Sequence, residues 1–194
     1  MSISLVAGLG NPGREYEGSR HNMGRSVVDA YASKHGLSWK NAPRFDSMVT
    51  RRDLGPGRTL WLMKPQAYMN ESGRSVAALA AYHKLAPAQV AAVYDDLTID
   101  LGLVKVSVSG GDAGHNGLAS LLEHLGDGFA RLRLGIGPRH PPEMDLKDFV
   151  LAHFTQEQLT LIQQKKDTYV QDLELLLESG PVQAMNQLNR RENP

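Results

Sequence analysis

Near the middle of the chain stands the stretch Val90-Ala91-Ala92-Val93-Tyr94-Asp95-Asp96. Five apolar residues in a row, without alternation, are typical of a strand that is buried on both faces of a sheet. A mostly parallel sheet covered by helices on both sides buries a strand in this way. The two carboxylates that follow would lie at the carboxyl end of the strand, where open α/β sheets bind ligands. This stretch therefore predicts an α/β fold and the position of a functional cleft.

On either side of this stretch, strand patterns alternate with helical patterns. The predicted strands cover residues 3–8, 45–52, 58–64, 90–94, 103–108 and 131–136, and the predicted helices cover residues 22–35, 72–85, 118–125 and 156–177. Residues 54–57 indicate a hairpin, and Gly180-Pro181 ends the last long helix, after which we expect a short one. The order predicts one α/β domain over residues 1–194, with a twisted, mixed, mostly parallel sheet and helices on both faces. We expect the C-terminal helices from about residue 155 to pack as a lid or wall.

The composition excludes several classes of protein. The 194 residues contain no cysteine, which excludes a disulfide framework, a zinc–thiolate site, an iron–sulfur cluster and a thiol nucleophile. No apolar run approaches the roughly 20 residues of a membrane span. The first residues lack the basic region of a secretory signal. We therefore expect a cytoplasmic protein that does not bind membranes.

The charges balance overall but are unevenly distributed. The 21 basic and 21 acidic side chains give a net charge of zero, so no global field draws the protein to nucleic acid. Residues 1–60 nevertheless carry more basic than acidic side chains, and residues 141–194 carry more acidic ones. Two interpretations stay open, namely an acidic solvated helix at the end of the chain and a local basic patch for an anionic partner.

The first glycine-rich loop, Gly8-Leu9-Gly10-Asn11-Pro12-Gly13, has the spacing of a dinucleotide-binding loop. In that fold a helix begins directly after the loop, whereas here Pro12 interrupts and the next helix starts about ten residues late. The loop is better explained as a tight turn after the first strand, with Asn11 at its tip in the ligand-binding region. A nucleotide-dependent oxidoreductase remains an alternative that rests on this loop alone.

Several polar residues lie where a cleft is expected. His21 precedes the first helix, and one of the two aspartates after residue 94 could accept its N–H and fix its tautomer. Asn70 and Asn116 lie at the starts of helices, so each could cap its helix or face the cleft. Residues 110–117 hold four glycines before a helix, which allows a ligand to approach the backbone closely.

The spacing of the seven histidines does not support a metal site, since no H-E-x-x-H or H-x-H motif occurs. The G-x-S-x-G motif of a serine hydrolase is also missing. We expect neither a metal nor a cofactor.

Five blocks of the chain, in order, resemble the bacterial peptidyl-tRNA hydrolase family. They are residues 8–24 (with the glycine-rich loop and Arg20-His21-Asn22-Met23-Gly24), 64–73 (Lys-Pro-Gln-Ala-Tyr-Met-Asn-Glu-Ser-Gly), 94–97, 114–118 and 131–137. The resemblance runs from about residue 3 to about residue 190. One departure is visible, because Tyr94 stands where the family usually has histidine before the aspartate. We expect this change to alter packing and not chemistry.

The resemblance implies a monomeric, metal-free enzyme that hydrolyses the ester between the peptide and the 3′ end of tRNA. Its partner would be peptidyl-tRNA, bound at the 3′ acceptor end and the 5′-phosphate. In this family pattern His21 is the general base for water and Asp95 orients it. Asn11 distinguishes blocked from free amino groups, and Asn70 belongs with these three to the catalytic set.

The resemblance also implies a set of binding residues. Asn70 and Asn116 would position the peptide, the water and the terminal adenosine, while Tyr16 and Tyr68 would line the tRNA end. Lys105 and Arg133 would clamp the 5′-phosphate. A modest basic patch would assist them, formed by Arg14, Arg20, Lys105, Arg131, Arg133 and Arg139. The alternative from another class is an RNA-binding module without catalysis, from which the pairing of His21 with Asp95 would distinguish an enzyme.

Overall fold

A seven-stranded sheet in the order β2-β3-β4-β1-β5-β7-β6 forms the centre of the molecule. The computed structural model describes residues 2–190. The strands are β1 (Leu5–Gly8), β2 (Lys40–Ala42), β3 (Ser47–Asp53), β4 (Thr59–Pro65), β5 (Val90–Asp100), β6 (Val104–Ser107) and β7 (Ala130–Gly137). Neighbouring strands are parallel from β4 through β1 and β5 to β7, and β3 and β6 run in the opposite direction. This mixed, mostly parallel sheet confirms the predicted α/β fold, and the predicted hairpin is β3–β4.

Helices cover both faces of the sheet. They are α1 (Met23–Lys34), α2 (Ser72–Tyr82), α3 (Asn116–Leu125), α4 (Leu146–Leu151) and α5 (Gln156–Leu188). Buried side chains of α1, α4 and α5 belong to one core layer, and those of α2 and α3 belong to the other. Inside α5, Gly180 has non-helical torsion angles (φ 78°, ψ 167°) and Pro181 follows it. The predicted break is therefore present, with a short helical segment after it.

The central strands β1 and β5 supply both core layers. Val6 and Val93 point towards α1 and α5, whereas Leu5 and Ala92 point towards α2 and α3. All four side chains are fully buried. Because strand side chains alternate between faces, a strand covered on both sides must be apolar throughout, as the sequence of β5 indicates.

Strand β5 is longer than the predicted strand, which ended at Tyr94. Asp95 and Asp96 pair with Leu134 and Gly135 of β7, so both aspartates lie within the strand. The neighbouring strand β1, however, ends opposite Val93. The two carboxylates therefore still lie beyond the carboxyl end of β1, at the mouth of the predicted cleft.

Helix α5 packs into the core instead of over the cleft. Tyr169, Leu173 and Leu176 on this helix are buried in the layer that also contains α1. Residues of α4 and Asp145 before it line the cleft instead. Among residues 2–190, no helix has the length and apolar character that crossing a bilayer requires.

Candidate active site

A cleft of about 760 Å³ opens at the carboxyl ends of β1 and β5. Seven of the nine predicted site residues line it, namely Asn11, Tyr16, His21, Tyr68, Asn70, Asp95 and Asn116. The other two, Lys105 and Arg133, lie outside its lining. The sheet thus brings together residues that are up to 105 positions apart in the chain.

The position of His21 depends on close packing between α1 and β5. A Cβ atom added to Gly24, in the first turn of α1, would overlap the carbonyl oxygen of Val93. Only glycine permits this approach. It brings the short 3₁₀ helix Arg20–Asn22 next to the end of β5, and His21 next to Asp95.

His21 and Asp95 form a buried hydrogen-bonded pair. The Nδ1 atom of His21 lies 3.0 Å from both carboxylate oxygens of Asp95. The side chains of both residues are almost fully buried. Since an ionised carboxylate can only accept, Nδ1 carries the proton and Nε2 keeps its lone pair. The arrangement leaves a basic nitrogen available to a water molecule in the cleft.

A second histidine, His115, donates to the same carboxylate. Its Nε2 lies 3.2 Å from Oδ1 of Asp95, and its Nδ1 accepts the backbone N–H of Leu118 at 3.2 Å. The bond from Leu118 requires a lone pair on Nδ1, so the proton of neutral His115 is on Nε2. Asp95 therefore receives an N–H from each of two imidazoles.

The two histidines control the ionisation of Asp95. Burial by itself raises the pKa of this carboxyl. The hydrogen bonds from His115 and His21, and the positive charge that either ring carries when it is protonated, outweigh burial and hold the pKa of Asp95 well below its usual range. The carboxylate consequently stays ionised over the whole range in which a histidine titrates.

His21, Asp95 and His115 also form a cluster of the kind that binds metals, with ligand atoms within 4.8 Å of one another. A metal would need lone pairs on Nδ1 of His21 and on Nε2 of His115. A lone pair on Nε2 of neutral His115 would move its proton to Nδ1. That proton would then point at the N–H of Leu118, and the hydrogen bond between Leu118 and His115 would be lost. The hydrogen bonds therefore favour proton chemistry over metal binding at this cluster.

Sequence reasoning missed His115. It assigned the capping of α3 to Asn116, but the N-cap residue is His115 and Asn116 is the first residue of the helix. The cap interpretation of Asn70 is also wrong, because Glu71 precedes α2 and makes no side-chain cap bond. Both asparagines are exposed at the cleft, so their amides are available to a ligand. The one available signal for His115 was its place in a glycine-rich loop that enters a helix.

Three hydrogen bonds, two with Asn22 and one with Met69, hold Asn11 in place. Its backbone N–H donates to Oδ1 of Asn22 at 2.8 Å, and its carbonyl accepts Nδ2 of Asn22 at 2.9 Å. Its own Oδ1 accepts the N–H of Met69 at 2.7 Å. Among the described residues no acceptor takes a bond from its Nδ2. Asn11 therefore offers the cleft an N–H donor and not a carbonyl acceptor.

Aromatic rings form part of the rim of the cleft. Tyr16 and Tyr68 meet edge to face with centroids 6.4 Å apart, and Tyr68 is 59% exposed. The ring of Tyr94 lies edge-on to His115 at 5.0 Å, and burial raises the pKa of Tyr94 to about 12. The tyrosine that departs from the family pattern thus contacts a partner of Asp95 as a neutral, packed side chain.

Lys105 and Arg133 are directly opposite each other on β6 and β7, so their side chains share one face of the sheet. Arg133 donates from Nε to Oδ2 of Asp96 at 2.9 Å and from Nη2 to Oγ1 of Thr98 at 3.4 Å. Asp96 and Thr98 line the cleft. The two cations therefore lie beside the cleft, on the flank formed by the edge of the sheet.

Two arginines of the predicted basic patch are buried, so that part of the prediction is wrong. Arg20 stacks on Phe149 at 4.4 Å and donates to the carbonyl oxygen of the same residue. Arg131 donates to the carbonyl oxygens of Gly110 and Gly111. The two guanidinium groups anchor α4 and the glycine-rich loop, and the residues Arg20 and Arg131 are only 6% and 2% exposed, respectively. Sequence alone cannot distinguish such anchors from surface cations, since both are arginines near loops.

Comparison with known proteins gives one consistent result. A family model described as Peptidyl-tRNA hydrolase matches residues 5–194. The peptidyl-tRNA hydrolases of Gloeobacter violaceus and of Anaeromyxobacter sp. strain K are each 42% identical to the chain. The first alignment covers 98% of this chain and 96% of the relative, and the second covers 97% of each. The crystal structure of peptidyl-tRNA hydrolase from Acinetobacter baumannii is 36% identical, covers 98% of this chain and 96% of that one, and has a TM-score of 0.89.

Proposed function

Because the chain belongs to the peptidyl-tRNA hydrolase family, we propose that it hydrolyses the ester between the peptide and the 3′ oxygen of tRNA with His21 as the general base. The observation that carries the assignment of the base is the buried pair of His21 and Asp95, with no hydrogen bond to Nε2 of the histidine from residues 2–190. Binding of RNA alone does not need such a pair.

In the proposed reaction, Nε2 of His21 takes a proton from water as the water oxygen bonds to the ester carbonyl carbon. The imidazolium that forms keeps its Nδ1–H on Asp95, which stabilises the positive charge. Collapse of the tetrahedral intermediate breaks the bond to the 3′ oxygen. His21 returns the proton to that oxygen, which gives deacylated tRNA, and the new carboxyl group of the peptide loses the second proton of the water to solvent.

His115 is a positioning residue in this scheme. Its bond to Oδ1 of Asp95 fixes the carboxylate against His21 and keeps it ionised. An ionised partner favours the tautomer of His21 that has a lone pair on Nε2.

Asn11 is the residue to which we assign the preference for blocked amino groups. Its free Nδ2 suits the carbonyl oxygen of the substrate's last peptide bond. A free aminoacyl-tRNA has no such carbonyl and presents an ammonium group, which a donor repels. The exposed amides of Asn70 and Asn116 are then available for the attacking water, the peptide and the terminal adenosine.

In the proposal, RNA contacts the aromatic rim of the cleft and the edge of the sheet beside the cleft. The rings of Tyr16 and Tyr68 suit stacking with the single-stranded 3′ end. Lys105 and Arg133, together on one face of the sheet edge, suit the 5′-phosphate.

The experiment is hydrolysis of N-acetyl-aminoacyl-tRNA, scored by release of deacylated tRNA. Replacing His21 with alanine removes the base, so we expect kcat to fall by about 10²- to 10⁴-fold. Asp95→Asn should reduce kcat less, because it preserves the shape of the side chain but disturbs the tautomer of His21. Binding of deacylated tRNA to each variant, measured by fluorescence anisotropy, is the control and should stay unchanged.

Activity of His21→Ala within about threefold of the wild type would exclude His21 as the base. A wild-type protein that binds tRNA without any turnover would instead favour the RNA-binding module.

A further inference from the structure

A second depression, of about 370 Å³, lies on the outer side of α2. It is bounded by the 3₁₀ helix Pro43–Phe45 on one side and by the outer face of α2 on the other. We call it the α2 groove and define it by Arg44, Phe45, Asp46, Ala67, Glu71, Arg74 and Ala78.

The α2 groove and the catalytic cleft share one wall, which is the segment of residues 67–71. Tyr68, Met69 and Asn70 line the cleft, while Ala67 and Glu71 line the groove. Consecutive residues of a single turn therefore face the two depressions. A chain that leaves the cleft past the exposed Asn70, whose neighbour Glu71 lines the groove, would enter the groove directly.

The groove presents small side chains along α2 and hydrogen-bonding groups around them. Ala67 and Ala78 leave room for side chains of any shape. Arg44 and Arg74 are exposed donors, and Asp46 and Glu71 are exposed acceptors. An extended polypeptide offers alternating N–H and C=O groups that such a mixture can bind. Because these four charges sum to zero, the groove lacks the positive field that binds RNA phosphates.

A corner of aromatic and cationic side chains adjoins the groove through Arg44 and Phe45. Tyr82, one turn beyond Ala78, is 54% exposed. The guanidinium carbon of Arg44 lies 4.6 Å from its ring centroid, and the ring of Phe45 lies 5.4 Å from it. From Glu71 to Tyr82 the helix rises about 16 Å, which is the length of about five extended residues.

We propose that the α2 groove binds the peptide part of the substrate, upstream of the ester, without regard to its sequence. The inference rests on the proposed function, since only an enzyme that acts on peptidyl-tRNA meets a peptide at this position. It predicts that the enzyme favours substrates whose peptide is long enough to cross residues 67–71 and reach Arg44.

The test compares two substrates on the same tRNA, one with an N-acetyl-aminoacyl group and one with a ten-residue uncharged peptide. The wild-type protein should have a lower KM for the longer substrate. Arg44→Ala and Tyr82→Ala should each raise KM for the longer substrate by about three- to tenfold, the effect of removing one or two hydrogen bonds or ring interactions. Neither should change kcat or the constants for the short substrate. Arg58→Ala, at an exposed arginine of the β3–β4 hairpin outside the groove, is the matched control and should leave both substrates unaffected.

Arg44→Ala and Tyr82→Ala both alter the packing of the corner that Arg44, Phe45 and Tyr82 form. A second kind of variant tests the groove without changing that corner. Ala78 is exposed on α2, so Ala78→Phe should fold normally and fill the floor of the groove. It should also raise KM for the long substrate alone.

Three results would overturn the proposal. The first is a wild-type enzyme that does not distinguish the two substrates. The second is an equal loss on both substrates in every groove variant. The third is weaker binding of deacylated tRNA to Arg44→Ala, which would identify the surface as an RNA contact. None of these results would affect the proposed ester hydrolysis, which fails if the wild-type protein cleaves neither substrate.

Discussion

At Asp95, one buried carboxylate receives hydrogen bonds from two histidines with different tasks. His21 lines the cleft and its Nε2 has no hydrogen-bond partner in the described part of the chain, whereas both nitrogens of His115 are hydrogen-bonded. Only His21 can therefore exchange a proton without breaking a hydrogen bond. The difference follows from the N–H of Leu118, which fixes the tautomer of His115.

The two tasks of His115 can be separated by substitution. His115→Asn keeps a residue that caps helices well but cannot donate to Asp95 as the longer imidazole does. We expect this variant to have a melting temperature near that of the wild type and a kcat lower by about tenfold, with KM unchanged. His115→Ala loses the cap as well and should also be less stable by about 1 kcal/mol. An Asn variant with wild-type kcat would limit His115 to capping.

Asn11 offers a test of how blocked and free amino groups are distinguished. In Asn11→Asp one carboxylate oxygen can still accept the N–H of Met69, and the other replaces the Nδ2 donor in the cleft. The new charge attracts an ammonium and repels a carbonyl oxygen. We expect the ratio of kcat/KM for N-acetyl-aminoacyl-tRNA over aminoacyl-tRNA to fall by at least about tenfold, equivalent to about 1.4 kcal/mol.

Asn11→Ala is the companion variant. It loses the donor without adding a charge, so the ratio should fall less than in the aspartate variant. Loss of rate in both variants with an unchanged ratio would mean that Asn11 only shapes the turn.

Among the elements, α2 and α3 are packed unusually close. A Cβ atom added to Gly73 in α2 would overlap the carbonyl oxygen of Ser120 in α3, and the N–H of Gly73 donates to Oγ of Ser120 at 3.0 Å. This contact sets the distance between the two helices that begin next to Asn70 and at Asn116. The width of the cleft therefore depends on a glycine outside it.

Gly73→Ala tests this contact. Alanine is normally the better helix residue by about 1 kcal/mol. Here the overlap with backbone atoms should outweigh that gain, and we expect a net loss of about 1–3 kcal/mol, read as a lower melting temperature. Gly111→Ala is the control, because a Cβ there would meet no atom within 4 Å. A Gly73→Ala protein as stable as the wild type would show that the helices separate at no cost.

At the scale of the whole molecule, the net charge is zero, so RNA must be attracted by individual basic side chains near the cleft. Burial of Arg20 and Arg131 reduces the predicted patch. Lys105 and Arg133 remain on the flank of the cleft, and Arg133 is already paired with Asp96. Removing Arg133 would leave the buried carboxylate of Asp96 with its hydrogen bonds from Thr98 but without this cation, so Lys105 is the cleaner position to change.

Lys105→Ala should raise KM for full-length peptidyl-tRNA and leave a short peptidyl-adenosine fragment without the 5′-phosphate unaffected. The slope of the logarithm of the tRNA association constant against the logarithm of the salt concentration should become less steep by about one unit, because the variant neutralises one phosphate fewer. Binding measured between low and moderate salt gives this slope. Equal losses on both substrates would assign Lys105 to folding or to the cleft instead.

The sequence by itself determined the α/β class and the order of the longer strands and helices, but it missed the short strand β2 and the short helix α4. Unbroken apolar runs such as residues 90–94 and helical periodicity are local patterns, so they can be recognised without coordinates. The motifs around His21, Asn70, Asp95 and Asn116 also indicated the family, because their order along the chain is itself sequence information.

Only the tertiary structure decided which of these groups touch and which nitrogen of each histidine carries a proton. His115 joins Asp95 because Gly24 and Gly73 let helices approach the sheet and each other closely, and such contacts join residues distant in the chain. The burial of two arginines also became visible only in the tertiary structure. Arg20 donates to the carbonyl oxygen of Phe149, and Arg131 donates to a carbonyl oxygen of the glycine-rich loop. A periodic pattern reflects residues within one or two turns of each other in the chain. Hydrogen-bond partners and burial depend instead on how distant segments pack together.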